Sequence, residues 1–130
     1  MLNQLKSGAV LFAKDLPRVA KFYEEILSMT VVLVNHNLIV LESAQFQLVV
    51  HAIPEQIAQS IQITSPPVRR TDLPIKLLFA VASIAEARSK ASALGGALNP
   101  KDEEWEAGAF RACDAHDPEG NILQFRENRF

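Results

Sequence analysis

The sequence predicts an α+β fold of two βαβββ modules in one domain, and three observations predict it. A stretch with helical spacing lies between runs that read as strands, the same order of elements returns in the second half, and a proline-containing connector separates the halves. The modules cover about residues 7–53 and 75–128, with the connector at 54–74.

Gly8 to Ala13 is a short apolar run that reads as the first strand. Leu16, Val19, Ala20, Tyr23, Ile26 and Leu27 follow at the three-and-four spacing that lines one face of a helix. Asp15 is the natural N-cap, because its carboxylate can accept from the orphan amides of the first turn. Pro17 is harmless there, since those amides have no helical partner. Thr30 to Val34 and Leu38 to Glu42 flank Asn35-His36-Asn37, whose asparagines tolerate left-handed geometry, so these runs predict a hairpin. A fourth strand over Gln45 to Ala52 ends at Pro54. The connector contains Pro66-Pro67 and has room for one short helix at Glu55 to Ile61.

The second half repeats this order. Ile75 to Val81 is an apolar strand, Ser83 and Glu86 form a capping box, and the helix they open runs through Leu94 to a Gly95-Gly96 C-cap. Ala109 to Cys113 and Asn121 to Glu127 read as strands, the second bounded by the turn Asp117-Pro118-Glu119-Gly120-Asn121. Leu11-Phe12-Ala13 recurs as Leu78-Phe79-Ala80, and Phe46-Gln47-Leu48 has its counterpart in Leu123-Gln124-Phe125. Each module is too small to bury both faces of its sheet, so the two pack as a pair or exchange with another chain, and a homodimer is expected.

With 130 residues, 48% of them hydrophobic, the chain can fold as one domain that buries roughly two-thirds of its unfolded surface. Lys and Arg number 13 against 15 Asp and Glu, a net charge of -2, which gives no electrostatic reason to bind nucleic acid; Arg69-Arg70 is too small a cluster. No apolar run approaches the roughly 18 residues of a membrane span, and no segment reads as a signal peptide. One cysteine and no Asn-X-Ser/Thr acceptor point away from secretion and toward the cytoplasm.

The opening strand with Asp15-Leu16, Phe22-Tyr23 and Leu27, and Trp105 followed by Asp117-Pro118-Glu119-Gly120-Asn121 and a closing strand, resemble the vicinal oxygen chelate superfamily. That group includes glyoxalases, extradiol dioxygenases, fosfomycin-modifying enzymes and bleomycin-resistance proteins. The resemblance implies modules that curl their mixed sheets into half-barrels, with metal ligands on the first and last strands of each. Carried over by motif spacing, those positions are Gly8, Gln47, Lys76 and Gln124, none of them His, Asp, Glu or Cys. Glycine has no donor, an ammonium has no lone pair, and two neutral amide oxygens beside a fixed positive charge bind transition metals poorly. No metal and no other cofactor is expected.

On the inner face this leaves Gln47, His51, Lys76, Gln124 and Arg126 among apolar Val10, Phe12, Val49 and Leu78, with Trp105 at the rim: a small-molecule cavity, mostly apolar with a few convergent polar groups. Lys76 and Arg126 could receive a carboxylate; alternatively Lys76 extends to solvent and the two glutamines bond one another. His51 and Lys76 are the candidates for base and electrostatic stabiliser should the chain be a lyase, isomerase or dioxygenase, with or without metal. His36 reads as an exposed turn residue, His116 as a loop hydrogen-bonding group and Cys113 as core. The expected function is metal-free binding of a small molecule, with the enzyme and a structural or regulatory partner-binding protein as alternatives.

Overall fold

A computed structural model describes residues 5–130. In the first module β1 (Gly8–Ala13) is followed by α1 (Leu16–Leu27), β2 (Thr30–Val34), β3 (Leu38–Glu42) and β4 (Gln47–Ala52). A single turn, α2 (Glu55–Ala58), opens the connector. The second module holds β5 (Leu77–Ala80), α3 (Ile84–Ala93), β6 (Ala97–Leu98), β7 (Trp105–Ala107), β8 (Phe110–His116) and β9 (Ile122–Asn128). The sheets run β1-β4-β3-β2 and β5-β9-β8-β6, with β7 also on β8. In each, the first strand lies parallel to the last and the remaining pairs are antiparallel, so one topology occurs twice.

The predicted caps form. Asp15 accepts from the Arg18 amide at 3.3 Å and Ser83 from that of Glu86 at 3.1 Å. The capping box at Ser83 is only half made, because Glu86 pairs with Lys90 instead of reaching back to the Ser83 amide; Glu127 takes the next amide, that of Ile84. Gly95, at φ +92°, closes α3 with a Schellman turn in which the Gly96 amide donates to the Ala91 carbonyl at 3.0 Å.

Two strands and three boundaries differ most from the sequence reading. β6 and β7 are additional strands of two and three residues, too short to show a period, and they pair because β8 offers a template. β8 reaches His116, β5 starts only at Leu77, and α2 stops at Ala58 instead of Ile61.

The strands alternate as the two-residue period requires. Leu48, Val50, Leu123 and Phe125 turn inward with Phe22, Tyr23, Leu41 and Ile84 into one core that spans both modules. The 117–121 turn ties the modules together. Buried Asp117 accepts from the Tyr23 hydroxyl at 2.7 Å, and its carboxylate also takes the amides of Glu119 and Asn121 and the Asn121 side chain. Burial, with the Asp117 charge and hydrogen bond adding to it, pushes the Tyr23 hydroxyl well above the usual tyrosine range. Glu119, 2% exposed, accepts from the backbone amides of Lys14 at 2.9 Å and Asp15 at 2.7 Å. The connector is fixed to the same turn, the Arg70 amide donating to the Gly120 carbonyl at 2.8 Å.

Candidate functional site

Each sheet has one face under a helix and one face open. α1 packs on β1, β3 and β4, and α3 on β6 and β9. Alternation then sends Val10, Phe12, Gln47, Val49 and His51 to the open face of the first sheet, and Leu78, Gln124, Arg126, Ala112 and Asp114 to that of the second. Val10, Phe12 and Leu78 are 59%, 52% and 53% exposed, so these apolar groups of the two faces stand in water, whereas Ala112 is buried.

The polar part is organised as two copies of one network. In the first module Lys6 donates to Glu42 at 3.0 Å, and the Gln47 amide nitrogen donates to the other Glu42 oxygen at 2.8 Å. In the second, Lys76 donates to Asp114 at 2.8 Å and the Gln124 amide nitrogen to the other Asp114 oxygen at 3.0 Å. The positions correspond strand by strand, since Gln47 is paired with Glu42 and Gly8, and Gln124 with Asp114 and Leu78. Lys6 and Lys76 each lie two residues before the strand residue that faces the glutamine.

These hydrogen bonds set the charge states. Glu42 lies below the usual carboxylate range because Gln47, then Lys6, bonds its ionised form. Burial alone would raise Asp114, but the hydrogen bonds from Lys76 and Gln124 and the charges of Lys76 and Arg69 outweigh it and hold the group low. Arg69 reaches in from the connector and donates through Nε to His116 Nδ1 at 2.8 Å. Burial and then the Arg69 charge push His116 below the ordinary histidine value, against the opposing charge of Asp117.

Beyond Gln124 the second network continues. Arg126 donates through Nε to the Gln124 carbonyl oxygen at 2.7 Å, and its guanidinium lies 4.1 Å above the Phe110 ring. Trp105, 43% exposed, meets Phe110 edge to face with ring centroids 5.7 Å apart.

The donor set does not fit a metal. Gly8 has no side chain, and a Cβ there would stand 1.8 Å from the Gln47 carbonyl oxygen. The register places Leu78, not Lys76, opposite Gln124 as Gly8 is opposite Gln47. The Gln124 carbonyl is already engaged by Arg126. Among the described residues no three of His, Cys, Asp and Glu come together as an ion would require.

Lys76, Gln124, Arg126 and Trp105 therefore share the second sheet, whereas Gln47 and His51 sit on the first. His51, its ring tilted 48° to that of Phe12 with centroids 5.3 Å apart, lines a separate hollow of about 710 Å³ with His36, Lys14, Glu55 and Ala58. The glutamines bond to carboxylates of their own sheets instead of to one another, and Lys76 holds Asp114. Cys113 is buried in the core, its thiol pushed up chiefly by burial. The sequence reading missed Lys6, Glu42 and Arg69 and gave Asp114 no place in the site. The hairpin register was the available signal for the two carboxylates, because each turn fixes which residue faces the glutamine.

Residues 8–125 match the model of the glyoxalase-like domain family. No curated protein matches the sequence. Among solved structures, a glyoxalase/bleomycin resistance protein/dioxygenase family enzyme from Burkholderia phytofirmans superposes with a TM-score of 0.66 at 19% identity, covering 94% of this chain and 97% of that one. A genomically encoded fosfomycin resistance protein from Listeria monocytogenes gives 0.66 at 17% identity, covering 100% and 97%. A bleomycin-binding protein from Streptomyces verticillus, solved with copper(II)-bleomycin, gives 0.56 at 17% identity, covering 96% and 97%. At these identities the likeness is one of fold.

Proposed function

The chain belongs to the glyoxalase-like domain family, and from that membership we propose that it is a small-molecule-binding protein that works without a metal, its ligand lying on the open sheet faces and enclosed when a second copy of the chain covers them. One observation carries the reading: exposed Val10, Phe12 and Leu78 stand beside fixed polar groups of Gln47, Gln124 and Arg126, the apolar lining with few oriented polar groups that small-molecule sites use. The same exposed apolar groups favour a homodimer, since a covering subunit would remove them from water. A cytoplasmic setting belongs to this reading, supported by a single cysteine that is buried and unpaired. No helix among the described residues is long and apolar enough to cross a membrane.

A lyase, isomerase or dioxygenase is the alternative. It would use His51 as base and Lys76 as stabiliser. The division of these residues between two sheets and the commitment of Lys76 to Asp114 weigh against it.

The test combines sedimentation equilibrium, metal content and a thermal-shift screen on the purified chain. We expect a dimer, sub-stoichiometric metal after brief chelation, and stabilisation by amphipathic small molecules of about 2.7 kcal/mol at a hundredfold excess over Kd. One transition metal retained per chain overturns the metal-free reading. A dimer that responds to no compound leaves partner binding as the function.

A further inference from the structure

We propose that the open face of the second sheet takes a flat organic carboxylate, its ring over Trp105 and its carboxylate on the two terminal nitrogens of Arg126. The proposal rests on the open-face reading and names the chemical class of the ligand.

The register builds this subsite. Ala80, Arg126, Ala112 and Trp105 form one row across β5, β9, β8 and β7, and residues paired in this way share a face. Arg126 is thus flanked on both sides by alanine, which leaves its guanidinium unscreened by neighbouring side chains in its own row. Its Nε is occupied by Gln124, which is held by Asp114, which is held by Lys76. One planar face rests on Phe110. The side chain is therefore oriented before any ligand arrives, so little rotamer entropy remains to be lost on binding.

What remains free is the outer edge. Among the described residues neither terminal nitrogen of Arg126 has a hydrogen-bond partner, and no carboxylate forms a salt bridge with it. Asp114, the acid nearest in this network, is held instead by Lys76 and Gln124, with the Arg69 charge adding to its stabilisation. Lys76 and Arg69 already offset the charge of Asp114, so the guanidinium of Arg126 is left without a counter-charge in this network and favours an anion. A guanidinium edge matches the two oxygens of a carboxylate bidentately. Half-exposed Trp105 supplies the stacking surface beside it.

Trp105 is the sole tryptophan, so its fluorescence reports this subsite directly. The full chain is titrated with 2-naphthoate and with its uncharged analogue 2-naphthalenemethanol. We expect saturable quenching by both, the carboxylate binding at least about tenfold more tightly. Arg126→Gln should remove that advantage while leaving the alcohol's affinity unchanged, and Arg126→Lys, which keeps the charge but loses the fork, should fall between. Far-UV circular dichroism checks that the variants fold. Equal affinity for both probes, or an unchanged preference in Arg126→Gln, overturns the carboxylate assignment and leaves the open-face reading standing. No saturable quenching by either probe overturns the subsite. If sedimentation also shows a monomer at the titration concentration, with acrylamide quenching Trp105 freely, the reading of a face covered by a second copy fails with it.

Discussion

Replacing Glu119 by glutamine is the most searching test of how the modules are held together. Its buried carboxylate lies at the start of α1 and accepts from two backbone amides more than a hundred residues earlier in the chain, those of Lys14 and Asp15. Both bonds are charge-assisted, and the negative group also complements the positive end of the helix. In Glu119→Gln one oxygen remains, but the other becomes an NH2 that faces an N–H. One bond to a charged acceptor, about 1.5–3 kcal/mol, is lost, and the amide it served is left facing an NH2. The expected loss is about 3 kcal/mol, a large fraction of the ~5–15 kcal/mol total of a typical domain, and a fall in Tm of about 10 °C. Urea unfolding followed by far-UV circular dichroism measures it. Glu103→Gln, an exposed carboxylate on the surface, serves as the control and should unfold with the wild type. A loss below about 1 kcal/mol with an unchanged m value would refute the argument.

The other expectations are briefer. Gly8→His, which restores a ligand type at the family position, should gain no zinc affinity by calorimetry and should destabilise by about 1–3 kcal/mol or more, because its Cβ would meet the Gln47 backbone 1.8 Å away. Gly120→Ala should be comparably damaging in thermal melts, since φ is +86° and a Cβ would lie 2.0 Å from the Val68 carbonyl oxygen. Stability should fall with acid in two stages. His116 takes a proton less readily folded than unfolded, so the unfolded chain binds more protons as pH drops below about 6.5 and stability declines there. Asp114, also depressed, contributes stability above about pH 4 that is lost below it. Urea midpoints across this range should show both, and His116→Gln should flatten the first.

The sequence made local features readable and left register hidden. α1 was legible through its apolar spacing and Asp15, and the repeat through Gln47 and Gln124, which do occupy matching places in the two sheets. β6 and β7 were not, because two or three residues carry no period and Trp105 stands among acids that favour no strand by themselves. Within the site, Arg126 and Trp105 were visible as residue types, but their meeting across Phe110 depends on β7 pairing with β8. In the sequence Lys76 reads as a strand position because Ile75 extends the apolar run. Exposed Ile75 shows that hydrophobicity there does not mark a strand. Glu42 and Asp114 became important only through the partners their hairpins give them.

The twinned Lys–carboxylate–Gln networks bear on how this polypeptide lives in a cell. A metal site gathers acids and imidazoles that repel or go unsatisfied until an ion arrives, so the maturation of a protein built on one waits on supply. Here each acid is born with its own ammonium, carried on the lead into the first strand of the same module. On the proposed metal-free reading these two acids are neutralised by the chain itself, and neither scarcity nor chelation of metals should limit how much of it accumulates.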